Sequence, residues 1–202
     1  MRRRCRCRAS RGYPLRVLVL NIGGSLAEAA IISAGGIIAT RSIRVGGVCF
    51  DAVIANYLRK KKRLIVGMST AEDLRIKIGN CMAHIDRGSL IPNGLHADTG
   101  MALSLEISSH EICEIITPAI AAIAHMATDL LEQASPSIAA DIYDYGIMLT
   151  GGCAFMPSMA EAIFRETGLR VTVAEQPQDS VVRGLGEILK FPSLWMPSAG
   201  SI

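Results

Sequence analysis

Two short apolar runs, each followed directly by a pair of glycines, constrain the fold more than any other feature of the chain. Residues 15–22 lead into Gly23-Gly24, and residues 147–150 lead into Gly151-Gly152. Short apolar runs that end at glycine predict buried strands followed by tight turns. Glycine at a strand exit also lets the backbone approach a phosphate, which the N–H groups there can bind. Either pair alone is better explained as an ordinary turn, so the surrounding sequence has to decide.

The rest of the pattern alternates strands with helices after a three-stranded meander. Ser69 or Thr70 is expected to cap a helix that stops at Gly79, and Ser108 or Ser109 to cap a long one. Further strands are predicted at 26–33, 37–43 and 171–174, with two or three within 81–107 around turns at 86–88 and 92–94. Further helices are predicted at 48–62, 110–133, 156–166 and 179–189, with a short one beginning at Ser135-Pro136. This order predicts the α/β class, a mixed sheet flanked by helices.

Charge is distributed unevenly along the 202 residues. Seven arginines precede the first acid, Glu28. The formal net charge of the chain is +3, and without these seven arginines it would be −4. The segment 1–16 is therefore expected to be a basic, unstructured head, and the acidic body argues against nucleic-acid binding. The basic run 59–63 is expected to be the solvated end of a helix.

Cysteine usage and hydropathy indicate a protein of the reducing cytoplasm. Apart from Cys5 and Cys7, the six cysteines are isolated among apolar residues, as buried free thiols are. The histidines and cysteines show no ligand spacing, so no metal-binding residue is assigned. The most apolar stretch, 115–131, contains Pro118, His125 and Asp129 and is too interrupted to span a membrane.

Four ordered segments carry a resemblance to a known family. They are Asn21-Ile22-Gly23-Gly24-Ser25-Leu26-Ala27-Glu28; Ser42-Ile43-Arg44-Val45-Gly46-Gly47 with Phe50-Asp51; Thr70-Ala71-Glu72 with Arg75, Ile78 and Gly79; and Leu149-Thr150-Gly151-Gly152. In this order and at these separations they resemble the MreB/Mbl family, the bacterial actins that determine rod shape. The resemblance extends from about Val17 to Leu189.

The resemblance implies an actin-like ATPase lobe with the ribonuclease-H-like fold. In that superfamily ATP and Mg²⁺ lie between two lobes, and this chain corresponds to the second. The implied organisation is a head at 1–16, the lobe at 17–192 with a small inserted subdomain at about 48–107, and a tail at 193–202. The chain is expected to be a fragment or a truncated paralogue.

The resemblance also implies which residues contact a nucleotide. The phosphate side is expected to use Asn21, Gly23, Gly24 and Ser25, and the adenosine side Glu72, Arg75, Gly151 and Gly152. Asn21 replaces the aspartate that acts on the Mg²⁺ side in the family, and loses the charge a hard cation favours. Weak ATP binding with weak or lost Mg²⁺ binding is therefore expected, with no hydrolysis and no catalytic residue.

Simpler explanations exist for several of these residues. Glu72 and Arg75, three apart on a helix, would also form an ordinary surface ion pair. Gly46 and Gly47 are better explained as a strand-to-helix turn than as a ligand contact, with Asp51 as an acid of the first helical turn.

The implied function is that of a cytoskeletal subunit acting in cell shape determination. Its expected partners are itself or full-length bacterial actin homologues in a filament, and the cell-wall synthesis machinery at the inner membrane. It is expected to be cytoplasmic and to reach the membrane through partners. The alternatives are a sugar or acetate-type kinase, which needs an acidic base, and an Hsp70-like nucleotide-binding lobe, which needs a peptide-binding domain.

Overall fold

The computed structural model describes residues 16–33 and 36–190, except the side chain of Ile188. The expected tail at 193–202, and all of the expected head except Arg16, lie outside these residues. In chain order, the elements are β1 (Arg16–Ile22), β2 (Ala27–Ser33), β3 (Gly36–Ile43), α1 (Gly47–Lys61), β4 (Leu64–Ile65), α2 (Met68–Ile78), β5 (Ser89–Leu90), β6 (Asn93–His96), β7 (Ala102–Ser104), β8 (Ile107–Ser108), α3 (Ser109–Glu132), α4 (Pro136–Tyr145), β9 (Ile147–Thr150), a 3-10 helix (Gly152–Phe155), α5 (Met159–Thr167), β10 (Val171–Val173) and α6 (Ser180–Lys190).

A five-stranded mixed sheet in the order β10-β9-β1-β2-β3 organises the fold. The strands β1, β2 and β3 form the predicted antiparallel meander, and β9 runs parallel to both β1 and β10. Leu18, Leu20 and Ile22 alternate along β1 and are fully buried, so one face of the sheet belongs to the core. The expected mixed sheet is confirmed.

The long helix α3 covers that face of the sheet. Its buried residues Ile112, Ile116, Ile120 and Ile123 recur at helical spacing and pack into the core. Within the described residues, α3 is the one helix long and apolar enough to cross a membrane, and 44% of its most apolar window is buried in this fold. Burial of this apolar face against the sheet is typical of a helix in the core of a globular protein.

Two helix starts differ from the sequence prediction. The helix α2 begins at Met68 after Gly67, so Ser69 and Thr70 lie inside its first turn and make no capping hydrogen bond. The helix α5 begins at Met159, three residues later than predicted, because the 3-10 helix Gly152–Phe155 and then Pro157 precede it. Proline fixes its own φ and restricts the residue before it, which delays the regular helix.

One predicted turn is a strand instead. The sequence Pro92-Asn93-Gly94 signals a turn, yet Asn93 and Gly94 belong to β6, which pairs with β4 and β7 in a small three-stranded sheet. A Cβ at Gly94 would lie 2.3 Å from the carbonyl oxygen of Ile65. Glycine is therefore present at this position because another strand passes close to it.

Candidate functional site

The glycine pair after β1 packs directly against the glycine pair before α1. Gly47 donates its backbone N–H to the carbonyl oxygen of Gly23 at 3.1 Å, and Val48 donates to that of Gly24 at 2.7 Å. A Cβ on Gly46 would lie 2.5 Å from the Gly23 oxygen. Gly46 and Gly47 do form a strand-to-helix turn, as predicted, and they also hold the β1–β2 turn in place.

The third glycine pair joins the same junction because β1 and β9 are adjacent and parallel. Asn21 lies opposite Thr150 in the register of these two strands, and the Thr150 hydroxyl donates to Asn21 Oδ1 at 3.2 Å. Gly151 follows with a φ of +91°, and a Cβ there would lie 2.3 Å from the carbonyl oxygen of Ile22. A side chain is excluded at Gly151 both by this close contact and by its φ.

Part of this junction faces open space, and a ligand can approach it there. Gly24, Ser25 and Gly152 are exposed, and a Cβ on either glycine would meet no atom within 4 Å. The N–H of Gly23 is already donated to the carbonyl of Leu26 at 2.9 Å. Within the described residues, the N–H groups of Gly24 and Ser25 have no such acceptor, so these two are the donors available to an anion.

One carboxylate, Glu28, and one amide, Asn21, lie where the resemblance implies the Mg²⁺ side. Asn21 donates from Nδ2 to Glu28 Oε2 at 3.4 Å, while its Oδ1 accepts the hydrogen bond from Thr150. Mg²⁺ prefers carboxylate and water oxygens in near-octahedral geometry. No three His, Cys, Asp or Glu residues cluster as metal ligands in the part of the chain that the structure describes. These donors fit Mg²⁺ only weakly.

Arg75, one of the residues expected on the adenosine side, forms a buried ion pair that the sequence did not indicate. Arg75 on α2 binds Asp51 on α1 through two hydrogen bonds, Nε to Oδ1 at 2.6 Å and Nη2 to Oδ2 at 3.2 Å. The two side chains are only 12% and 6% exposed. The prediction that Asp51 is an acid of the first helical turn is therefore wrong. Asp51 is the fifth residue of α1 and the partner of Arg75.

Glu72 and Arg75 also form the ion pair that the sequence allowed. Arg75 Nη2 lies 3.4 Å from Glu72 Oε1, and the Glu72 side chain is 54% exposed. Burial lowers the pKa of Arg75, but the hydrogen bond to Asp51 and the nearby negative charges of Asp51 and Glu72 together outweigh it, so the pKa is raised and the guanidinium stays charged. Of the two, Glu72 is therefore the residue that is accessible to solvent.

A small cavity of about 120 Å³ lies between two of the predicted adenosine-side residues, Arg75 and Gly152. Phe155, Met156 and Pro157 complete its apolar wall. These three residues were not singled out from the sequence. Their only sequence signal is that they come shortly after the glycine pair Gly151-Gly152, at the end of the 3-10 helix and just beyond it.

Cys153 directly follows the glycine pair Gly151-Gly152. Its Sγ donates to the carbonyl oxygen of Gly23 at 3.3 Å, which ties the two loops together. Burial raises the pKa of this thiol, although Arg75 nearby opposes the shift. Burial likewise raises the pKa of Cys81 to about 12. Both thiols stay protonated near neutral pH and serve as small packing groups.

The sequence is similar to a family of known bacterial proteins. The sequence model of the family described as MreB/Mbl protein matches residues 13–195. The chain is 33% identical over 172 residues to the cell shape-determining protein Mbl of Bacillus subtilis, covering 85% of this chain and 52% of Mbl. It is 34% identical over 174 residues to the cell shape-determining protein MreB of Escherichia coli K12, covering 86% and 50%. The chain therefore spans about half the length of the curated relatives it matches.

Solved structures of MreB5 from Spiroplasma citri have the same architecture as this chain. The structure bound to AMPPNP aligns with a TM-score of 0.85 at 32% identity, covering 90% of this chain and 54% of MreB5. The structure bound to ADP aligns with a TM-score of 0.83, covering 88% and 54%. Both of those crystals hold an adenine nucleotide.

Proposed function

Since the chain belongs to the MreB/Mbl family, we propose that it is a cytoskeletal lobe that binds adenine nucleotide where its three glycine pairs meet and acts in cell shape determination. The expected fold class, an α/β actin-like lobe, is confirmed by the match to MreB5. The relatives named above are cell shape-determining proteins. MreB5 supports the nucleotide part of the proposal because it binds ADP and AMPPNP.

The observation that carries this proposal is the meeting of three glycine pairs at one edge of the sheet. Gly23-Gly24, Gly46-Gly47 and Gly151-Gly152 are far apart in sequence, yet backbone hydrogen bonds and contacts too close for a Cβ join them. Around this packed centre, Gly24, Ser25 and Gly152 remain open. Free N–H groups on an exposed glycine turn are a common way to bind phosphate.

Each half of the nucleotide has a proposed set of residues. Asn21, Gly23, Gly24 and Ser25 form the phosphate side, with the donated hydrogen bonds coming from Gly24 and Ser25. Glu72 accepts from the ribose hydroxyls, and the base enters beside Arg75, Gly151 and Gly152. Arg75 acts from the edge of the cavity, because Asp51 already holds its guanidinium.

We propose that the chain does not hydrolyse ATP on its own. Mg²⁺, where it binds, neutralises phosphate charge during phosphoryl transfer. Asn21 supplies no negative charge to hold it, and the amide oxygen is already occupied by Thr150. Binding of ATP with little dependence on Mg²⁺ is the expected behaviour.

The wider biological role is proposed from the family. The chain forms an actin-like lobe over 17–192, with a basic head at 1–16, an inserted subdomain at about 48–107 and a tail at 193–202. It joins filaments with itself or with full-length homologues in the cytoplasm. It reaches the cell-wall synthesis machinery at the inner membrane through those partners.

Gly24 offers a clean test of the phosphate site. A Cβ there meets nothing within 4 Å, so Gly24→Ala and Gly24→Asp both keep the fold. Calorimetric titration with AMPPNP is expected to show binding by the wild type and by Gly24→Ala. Gly24→Asp is expected to bind at least about tenfold more weakly, roughly 1.4 kcal/mol, because its carboxylate repels the phosphates.

Nucleotide binding at Gly24 would be contradicted if the wild-type chain gave no binding heat. It would also be contradicted if the aspartate variant bound as well as the alanine variant. In a separate assay of turnover, phosphate release from ATP is expected to stay at the level of a buffer blank. Release well above that level, abolished by Gly24→Asp, would show that the chain does hydrolyse ATP.

A further inference from the structure

A groove of about 370 Å³ lies between α1 and α3, away from the nucleotide site. Val53 and Tyr57 of α1 and Ile115 of α3 form its apolar floor. Each of these side chains is half-buried and packs on the core with one side. None of the residues assigned to the nucleotide lines this groove, so whatever binds here is a different ligand.

The α1 wall of the groove is one continuous helix face. Val53, Asn56, Tyr57, Lys60 and Lys61 line it at spacings of three and four residues, which places them side by side. The groove therefore runs along two turns of α1. Its volume is near the lower end of the range of about 300–1,000 Å³ seen for ligand pockets. It suits a few apolar side chains of a peptide.

The α3 wall contributes an unusual backbone feature. Pro118 lies inside α3 and lines the groove together with Glu114. Because proline has no N–H, the main-chain carbonyl of Glu114 lacks its i+4 donor. One carbonyl of the α3 wall therefore lacks its helical partner.

Two lysines, Lys60 and Lys61, and one carboxylate, Glu114, line the groove, so its net charge is positive although the body of the protein is acidic. In the basic run 59–63, Lys62 pairs with Glu111 and Arg63 with Asp98. Among the residues that the structure describes, no carboxylate lies within 4 Å of Arg59, Lys60 or Lys61. The dipole of α1 favours cations in its last turn, but it does not account for the two lysines that flank an apolar floor.

We propose that this groove is a docking site for a short acidic amphipathic helix of another protein. Its apolar side chains fill the floor formed by Val53, Tyr57 and Ile115, and its carboxylates pair with Lys60 and Lys61. Docking of this kind uses the helix-in-groove mode, in which residues spaced by three and four provide the anchors.

The test uses the whole chain and a defined probe. The probe is a fluorescein-labelled synthetic helix of about 14 residues, close to four turns, with leucine along one face and glutamate beside it. A second peptide carries serine in place of every leucine. Fluorescence polarisation is expected to show saturable binding of the leucine peptide and none of the serine peptide.

Three variants locate the binding. Lys60→Glu combined with Lys61→Glu reverses the charge of the wall, and Asn56→Trp fills the groove from an exposed position. Each is expected to weaken binding at least about tenfold without changing the melting temperature by more than about two degrees. Arg59→Glu is the control for charge reversal: it reverses one charge, where the double variant reverses two, in the same turn but outside the groove, and should bind nearly as the wild type does.

Several results would overturn the proposal. The first is that the leucine peptide does not bind, and the second is that the serine peptide binds equally well. The third is that Arg59→Glu weakens binding of the leucine peptide as much as the Lys60 and Lys61 variant does. Salt-sensitive binding to phosphatidylglycerol vesicles, lost in that double variant while the peptide fails to bind, would assign the lysines to anionic lipid instead. None of these measurements depends on nucleotide binding.

Discussion

At the scale of single residues, the nucleotide site depends on two kinds of position. Gly46 and Gly151 permit close backbone contacts that any side chain would prevent, while Gly24 and Gly152 face open space. Asp51 and Arg75 form a buried pair that joins α1 to α2 beneath Gly47. The two packing glycines and the ion pair fix the geometry, and the open glycines leave room for a ligand.

The Asp51–Arg75 pair is expected to matter greatly for stability. Removing one partner leaves the other charge buried and uncompensated, which costs about 3–5 kcal/mol in known cases. Asp51→Asn keeps the shape of the side chain, so we expect a loss of about 3 kcal/mol in the free energy of unfolding, measured by urea denaturation.

Asp73→Asn is the matched control for that measurement. Asp73 pairs with Lys77 on the same helix, but both side chains are about 60% exposed. Pairs of this kind contribute about 0–1 kcal/mol, so the control should stay close to the wild type. Equal effects of the two substitutions would show that the buried pair does not fix the geometry of α1 and α2.

At the scale of elements, the start of α3 has the most complete set of local interactions. Ser108 accepts a hydrogen bond from the N–H of Glu111 at 3.3 Å, and Glu111 Oε2 accepts one from the N–H of Ser108 at 3.2 Å. This reciprocal capping box satisfies two N–H groups that the helix itself leaves unpaired. Lys62, at the end of α1, binds the other oxygen of Glu111 at 2.6 Å.

The capping box gives the stability a predictable dependence on pH. Burial raises the pKa of Glu111, but the hydrogen bonds from Lys62 and Ser108 outweigh it, so the pKa is lowered on folding. A lowered pKa stabilises the fold above the unfolded value of about 4.3, and this stability is lost as the pH falls through the folded value. Glu111→Gln should lose about 1 kcal/mol at pH 7 and show a weaker acid dependence in urea denaturation.

Glu132→Gln, at the other end of α3, is the control for this pH profile. Within the described residues, Glu132 makes no ion pair, and a negative charge at a helix C-terminus is not favoured by the helix dipole. Its substitution should leave the acid dependence unchanged. If the free energy of unfolding fell equally with decreasing pH in the wild type and in Glu111→Gln, this would contradict the role assigned to the Glu111 carboxylate.

The sequence predicts the elements well where the signal is local. The meander, α1, α3, α4 and β9 agree with their patterns because alternation, caps and glycine breaks lie within a few residues. The strand role of Gly94 depends on Ile65, and the burial of Asp51 depends on Arg75. Neither partner is adjacent in sequence, so composition and spacing alone did not indicate either contact.

At the scale of the whole molecule, one face of the five-stranded sheet remains uncovered by α3. A cavity of about 710 Å³ lies on that face, lined by Asn21, Glu28, Thr150 and Val181 among others. Nearby on α6, Val181, Val182, Leu185 and Leu189 are all more than half exposed. An exposed apolar surface of this extent marks an interaction site. The cavity and the exposed side chains of α6 together form a candidate contact surface.

We propose that adenine nucleotide binds where the three glycine pairs meet, and backbone amide NMR of the labelled chain can locate it there. On addition of AMPPNP, we expect the largest shift changes at Gly24, Ser25 and Gly152, with smaller ones at Glu72 and Arg75. The α1–α3 groove should be unaffected. An unchanged spectrum at saturating nucleotide, or changes confined to residues outside the glycine junction, would contradict the account.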